Sequence, residues 1–84
     1  MPLINPELRS RVSPDGAMIL YPSADEVITL NSSGGYIWAR LQEGKTVEEI
    51  VAALAKETGQ DPSVVGNDVH EFLRQLTAKL LVTL

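Results

Sequence analysis

Apolar and polar positions alternate through the first third of this chain and recur every three or four residues through the rest. Glu7-Leu8-Arg9-Ser10-Arg11-Val12 alternates strictly, with Leu8, Ser10 and Val12 on one side and Glu7, Arg9 and Arg11 on the other. That is the pattern of a half-buried strand. Ser13-Pro14-Asp15-Gly16 follows as a turn: proline presets φ, and glycine accepts positive φ at its end. Ala17-Met18-Ile19-Leu20-Tyr21 reads as a second, more buried strand. Pro22-Ser23-Ala24-Asp25 interrupts it, and Glu26-Val27-Ile28-Thr29-Leu30 reads as a third, rich in β-branched residues. Three short strands joined by tight turns predict an antiparallel meander.

At Leu30-Asn31 the period changes. Asn31 stands where a helix needs a side-chain cap, and Gly34, Ile37, Trp38 and Leu41 share one face of a helix over roughly 32–42. Gly44 lies just past its end, the place of a left-handed C-terminal residue. Thr46-Val47-Glu48-Glu49 is a capping box. It opens a second helix with Val47, Ile50, Val51 and Leu54 as its apolar stripe, ended by Gly59. Asp61-Pro62 opens a third, lined by Val65, Val69, Phe72, Leu73, Leu76 and Leu80. Gly66 inside that helix either permits a close backbone approach or is incidental. The apolar end, 81–84, is expected to pack, and about the first five residues to be loose. The order of elements predicts one α+β domain over 1–84, a three-stranded antiparallel sheet followed by three helices.

Composition narrows the chemistry. Eighty-four residues suffice for a modest core. There is no cysteine, which removes disulfides, thiolate nucleophiles and cysteine-based zinc sites and fits a cytoplasmic protein. The start of the chain has neither the charged lead nor the apolar run of a signal peptide, and no segment has the length of a membrane span. A net charge of −4 disfavours nucleic acid, although Arg9 and Arg11 share one strand face. His70 is the single histidine, polar-flanked on a helix and read as a surface residue. Glu48 and Glu49 point in different directions and serve capping and the helix dipole. Gly34-Gly35 lacks the lysine and flanking pattern of a phosphate loop. No catalytic constellation, metal site or cofactor site emerges, and the expectation is a protein that is not an enzyme.

Binding remains. An outer strand exposes N–H and C=O groups to an incoming extended peptide. The third strand offers such an edge, and residues of the third helix either complete the core or border a groove beside it.

The series Leu30-Asn31-Ser32-Ser33-Gly34, Ile37-Trp38, Leu41, Gly44-Lys45-Thr46-Val47-Glu48-Glu49-Ile50, Leu54, Asp68-Val69, Phe72-Leu73 and Leu76 resembles the PqqD-like family over about Val12 to Val82. These are recognition elements for ribosomally made, post-translationally modified peptides. The resemblance implies a winged-helix-like fold in which the leader of a precursor peptide adds to the third strand, in a cleft between it and the third helix. On that basis Val27, Ile28, Thr29 and Leu30 supply main-chain pairing, and Asp68, Val69, Phe72, Leu73 and Leu76 line the helix side. The implied partners are a leader peptide and a processing enzyme such as a cysteine protease, with the protein a monomer or weak dimer. Ser13-Pro14-Asp15-Gly16-Ala17 and Ile37-Trp38 look closer to the stand-alone leader-binding protein of lasso-peptide clusters. The alternatives are a peptide chaperone for a radical-SAM enzyme, as in PQQ biosynthesis, or a small self-associating winged-helix domain. Lys79-Leu80-Leu81 departs from the family, which usually has a glycine there.

Overall fold

The computed structural model describes residues 3–79 and 82–83. Its elements in chain order are β1 (Leu3–Ile4), β2 (Arg9–Ser13), β3 (Gly16–Tyr21), β4 (Glu26–Leu30), α1 (Ser32–Gln42), α2 (Val47–Thr58), α3 (Pro62–Ala78) and β5 (Val82–Thr83). Strands β2, β3 and β4 form an antiparallel sheet in that order. This is the expected α+β arrangement of a three-stranded sheet followed by three helices.

One pairing was not expected. Leu3 and Ile4 pair antiparallel with Thr83 and Val82. Residues 3–4 are therefore held in a ladder, contrary to the expectation that the first five residues are loose. Such a ladder joins the two ends of the chain, so no local pattern announces it. The apolar positions Leu80, Leu81 and Leu84, expected to pack, lie outside the described residues.

The helix boundaries follow from their caps. Asn31 Oδ1 accepts the Gly34 N–H at 2.8 Å. In the Thr46 box, the Glu49 N–H donates to Thr46 Oγ1 at 3.2 Å and the Thr46 N–H to Glu49 Oε1 at 2.9 Å. Asp61 Oδ1 accepts the Ser63 N–H at 2.8 Å, with Pro62 in the first turn of α3.

The core lies between the inner face of the sheet and the helices. Trp38, Ile19, Ile50, Leu73, Val65 and Val69 are fully enclosed, each contributing on the order of 2 kcal/mol of hydrophobic stabilisation. Ile28, Leu30 and Phe72 pack against this cluster and remain half-buried.

The turn and the first helix meet backbone to backbone. Gly16 has φ +149°, and a Cβ built on Gly35 would stand 2.6 Å from the Gly16 carbonyl carbon. Gly35 thus lets α1 sit on the β2–β3 turn. Gly66 is different: a Cβ there would meet only Val51 Cγ1, at an ordinary 3.9 Å. No close approach needs it. Gly66→Ala is expected to stabilise the protein by about 1 kcal/mol through helix propensity, read as a raised thermal midpoint.

Three exposed carboxylates titrate below their usual range. The Thr46 N–H holds Glu49 down, the Ser63 hydroxyl and N–H hold Asp61 down, and contacts with Ser23 hold Glu7 down. Each group binds its proton less tightly when folded. Its contribution is complete above the unfolded pKa and is lost as pH falls through the lower folded value. Stability is therefore expected to fall as pH drops below about 4.5, the ordinary glutamate value. Glu49→Gln should flatten that fall, as measured by urea midpoints at pH 7 and pH 3.

Candidate functional site

Strand β4 has a partner on one side only. Ala17 to Tyr21 of β3 pair with Leu30 to Glu26, and no other described strand joins β4. Its second edge borders a cleft of about 330 Å³ in which Glu26 to Leu30 face Phe72, Gln75 and Leu76 of α3 and Lys79 at its C-terminal cap.

The floor of this cleft is apolar. Ile28 and Leu30 turn to the helix side, since their cross-strand partners Ile19 and Ala17 are buried core residues. Phe72 is half-buried and lies against the start of α1: a Cβ on Gly34 would be 3.2 Å from Phe72 Cε1 and 3.2 Å from Leu30 Cβ. The bare Gly34 backbone gives the ring its seat. The rim is polar, made by Glu26, Thr29, Gln75 and Lys79. Lys79 Nζ stands 3.9 Å from Glu26 Oε2 across one end of the cleft, each side chain about half exposed. A pair so solvated holds the end together by well under about 1 kcal/mol, so an incoming charge can displace either member.

The residues expected to bind a peptide therefore divide. Val27, Ile28, Thr29 and Leu30 line the cleft along the strand, and Phe72 and Leu76 line it along the helix. Leu76 exposes 2 % of its surface and meets the cleft only at its edge. Val69 and Leu73 are enclosed at 0 and 2 % and do not line it. Both belong to the buried core cluster, and a charge at Val69 would report on folding. Asp68 is exposed four residues before Phe72 on α3, beyond the cleft's lining. Sequence reasoning missed Glu26, Gln75 and Lys79. Gln75 and Lys79 lie three and seven residues after Phe72, the helical spacing of one face, but a search along apolar positions passes over them.

Other chemistry-bearing residues stand apart from the cleft. His70 is exposed on α3, with Nδ1 2.7 Å from the Gly66 carbonyl oxygen. Among the described residues no three His, Cys, Asp or Glu side chains gather as metal ligands, and no helix is long and apolar enough to cross a membrane. A larger concavity, of about 700 Å³, lies against the outer face of the sheet. It has no helix wall opposite an open strand edge, so the smaller cleft is the better candidate for strand addition.

Residues 16–82 match the family model of coenzyme PQQ synthesis protein D, PqqD. The structure of TbiB1 in complex with the TbiA(β) leader peptide superposes with a TM-score of 0.89 at 34 % identity, over 94 % of this chain and 92 % of that one. The solution structure of the PqqD truncation of Methylobacterium extorquens PqqCD, a functional and stand-alone recognition element for such modified peptides, superposes with a TM-score of 0.75. It shares 20 % identity, over 99 % of this chain and 88 % of that one, and supports the fold. No curated protein gives a significant match.

Proposed function

This chain belongs to the PqqD family, and from that membership we propose that it binds the leader segment of a precursor peptide and delivers it to a processing enzyme. The leader adds as a further strand on the open edge of β4. Its alternate side chains enter the cleft between β4 and α3. The observation that carries this reading is that open edge beside an apolar floor, in a chain 34 % identical to a relative solved with a leader peptide.

The division of labour follows from the chemistry. Main-chain pairing supplies affinity without regard to sequence. Ile28, Leu30 and Phe72 select apolar leader side chains, while Glu26, Gln75 and Lys79 select polar or charged neighbours along the rim. Ordering a flexible leader opposes binding. The remaining affinity falls in the micromolar to nanomolar range, about −8 to −12 kcal/mol. The role is non-catalytic, and 1–84 acts as one recognition unit. The finer reading is a cytoplasmic lasso-type pathway with a separate cysteine protease, supported by the Ser13–Ala17 run and the Ile37-Trp38 pair.

The test is a titration of labelled N-terminal segments of whatever short open reading frames neighbour this gene. Trp38 is fully enclosed, so the reporter belongs on the peptide. Leaders carrying single backbone N-methyl groups decide the binding mode. Strand addition predicts that affinity drops at every second residue, because alternate amides face the edge. Uniform tolerance of N-methylation would rule it out.

A further inference from the structure

We propose that the outer face of the β2–β3–β4 sheet is the docking surface for the processing enzyme, which meets it with apolar side chains bordered by carboxylates. The inference rests on the delivery role above and adds the surface that performs the hand-over.

Cross-strand register builds this face. Arg9 stands opposite Leu20, and Leu20 opposite Val27; Arg11 stands opposite Met18, and Met18 opposite Thr29. Two rows thus run from a cation on β2 through a large apolar side chain on β3 to β4. Met18, Leu20 and Val27 are 51, 44 and 58 % exposed. They are three of the five large apolar side chains exposed among the described residues. Except for Val27, which borders the leader cleft, these side chains belong to the 700 Å³ concavity. A contiguous exposed apolar patch on a small protein marks an interaction surface.

Charge selects the occupant. The chain carries −4 overall, yet this face presents two arginines. Arg40, Arg74 and Lys79 have carboxylate partners within 4 Å, whereas Arg9 and Arg11 pair with no described carboxylate. Asp15, at the turn end of the same concavity, is the one acidic group lining it. A second copy docked by two-fold symmetry would set this same patch against itself and crowd like charges. Nucleic acid would meet two cations on an acidic protein. A protein surface with carboxylates around an apolar centre satisfies both rows, and arginine is well suited to such a boundary. The leader cleft lies toward the helices, so both ligands can be held together.

The experiment uses the full chain, the purified product of each peptide-modifying enzyme or protease gene that neighbours its own, and the labelled leader. Arg9→Glu/Arg11→Glu tests the charges, and Met18→Ser/Leu20→Ser tests the apolar centre. All four side chains are exposed, and circular dichroism verifies the fold. The expected result is enzyme binding weakened at least tenfold in both variants, with leader affinity changed less than twofold. The charge variant should also lose the salt dependence of enzyme association. Full-strength enzyme binding by both variants, or no enzyme binding by the unmodified chain, overturns the proposal. Loss of self-association in light scattering with enzyme binding intact would assign the face to a second copy and also overturn it. Failure of the leader to bind the unmodified chain is a separate result: it removes the leader-delivery reading, while arginine-dependent enzyme binding would still support the surface.

Discussion

Gly16→Ala is expected to lower the thermal midpoint by roughly 20 °C. Two effects combine. Gly16 has φ +149°, a backbone conformation that side-chain-bearing L-residues rarely adopt. A Cβ there would also stand only 2.0 Å from the Leu30 carbonyl oxygen. Backbone, unlike a flexible side chain, cannot swing aside. Conformational strain and overpacking each cost about 1–3 kcal/mol. Their sum is a large part of the roughly 4–13 kcal/mol available to a protein of this length. Gly35→Ala attacks the same junction from α1, because its Cβ would meet the Gly16 backbone at 2.6–2.9 Å. Once the junction has opened, the second substitution costs less. The double variant should therefore be less destabilised than the sum of the singles. Thermal melts of the three variants measure this, and additive losses would show that the two glycines act independently. The junction also positions the site, since Leu30 ends β4 just before α1 begins.

Phe72→Ala is expected to weaken leader binding about 30-fold while leaving the protein folded. A central aromatic side chain in an interface commonly contributes 2 kcal/mol or more on truncation, which corresponds to that factor. The ring lines the cleft, is half-buried and rests against Gly34 and Leu30. Its loss removes floor from the cleft and only the margin of the core. Leu73→Ala is the control one residue further on. Leu73 is enclosed and outside the cleft, so truncation should cost about 2–5 kcal/mol of stability and leave the affinity of the folded fraction unchanged. Titration and thermal melting of both variants give the comparison. Equal losses of affinity, corrected for folded fraction, would mean that the cleft does not discriminate between the two faces of α3.

These two experiments separate what is local in this protein from what is not. Asn31, Thr46 with Glu49, and Asp61 with Pro62 mark the three helix starts in the sequence, and the structure makes each cap with groups two or three residues away. The alternation of Ala17–Tyr21 and Glu26–Leu30 marks two strands in the same way. Hydrogen bonds and rotamer preferences act over a few residues, so strings of a few residues reveal them. The capping pattern, the alternating strands and the helical stripes together determined the α+β order, and the spaced series from Leu30 to Leu76 pointed to the family.

Tertiary structure decided the rest. Val69, Phe72, Leu73 and Leu76 look alike along the chain. They differ because Val69 and Leu73 are enclosed in the core cluster, whereas Phe72 stands half-buried where α3 faces β4 across the cleft. Gln75 and Lys79 join the cleft only because the tertiary fold sets β4 across from them. The Gly16–Gly35 contact joins residues 19 positions apart, and the β1–β5 ladder joins the two ends of the chain. Burial and close approach depend on which elements meet in space. A residue's own neighbours in sequence carry that information only when they are the residues it touches.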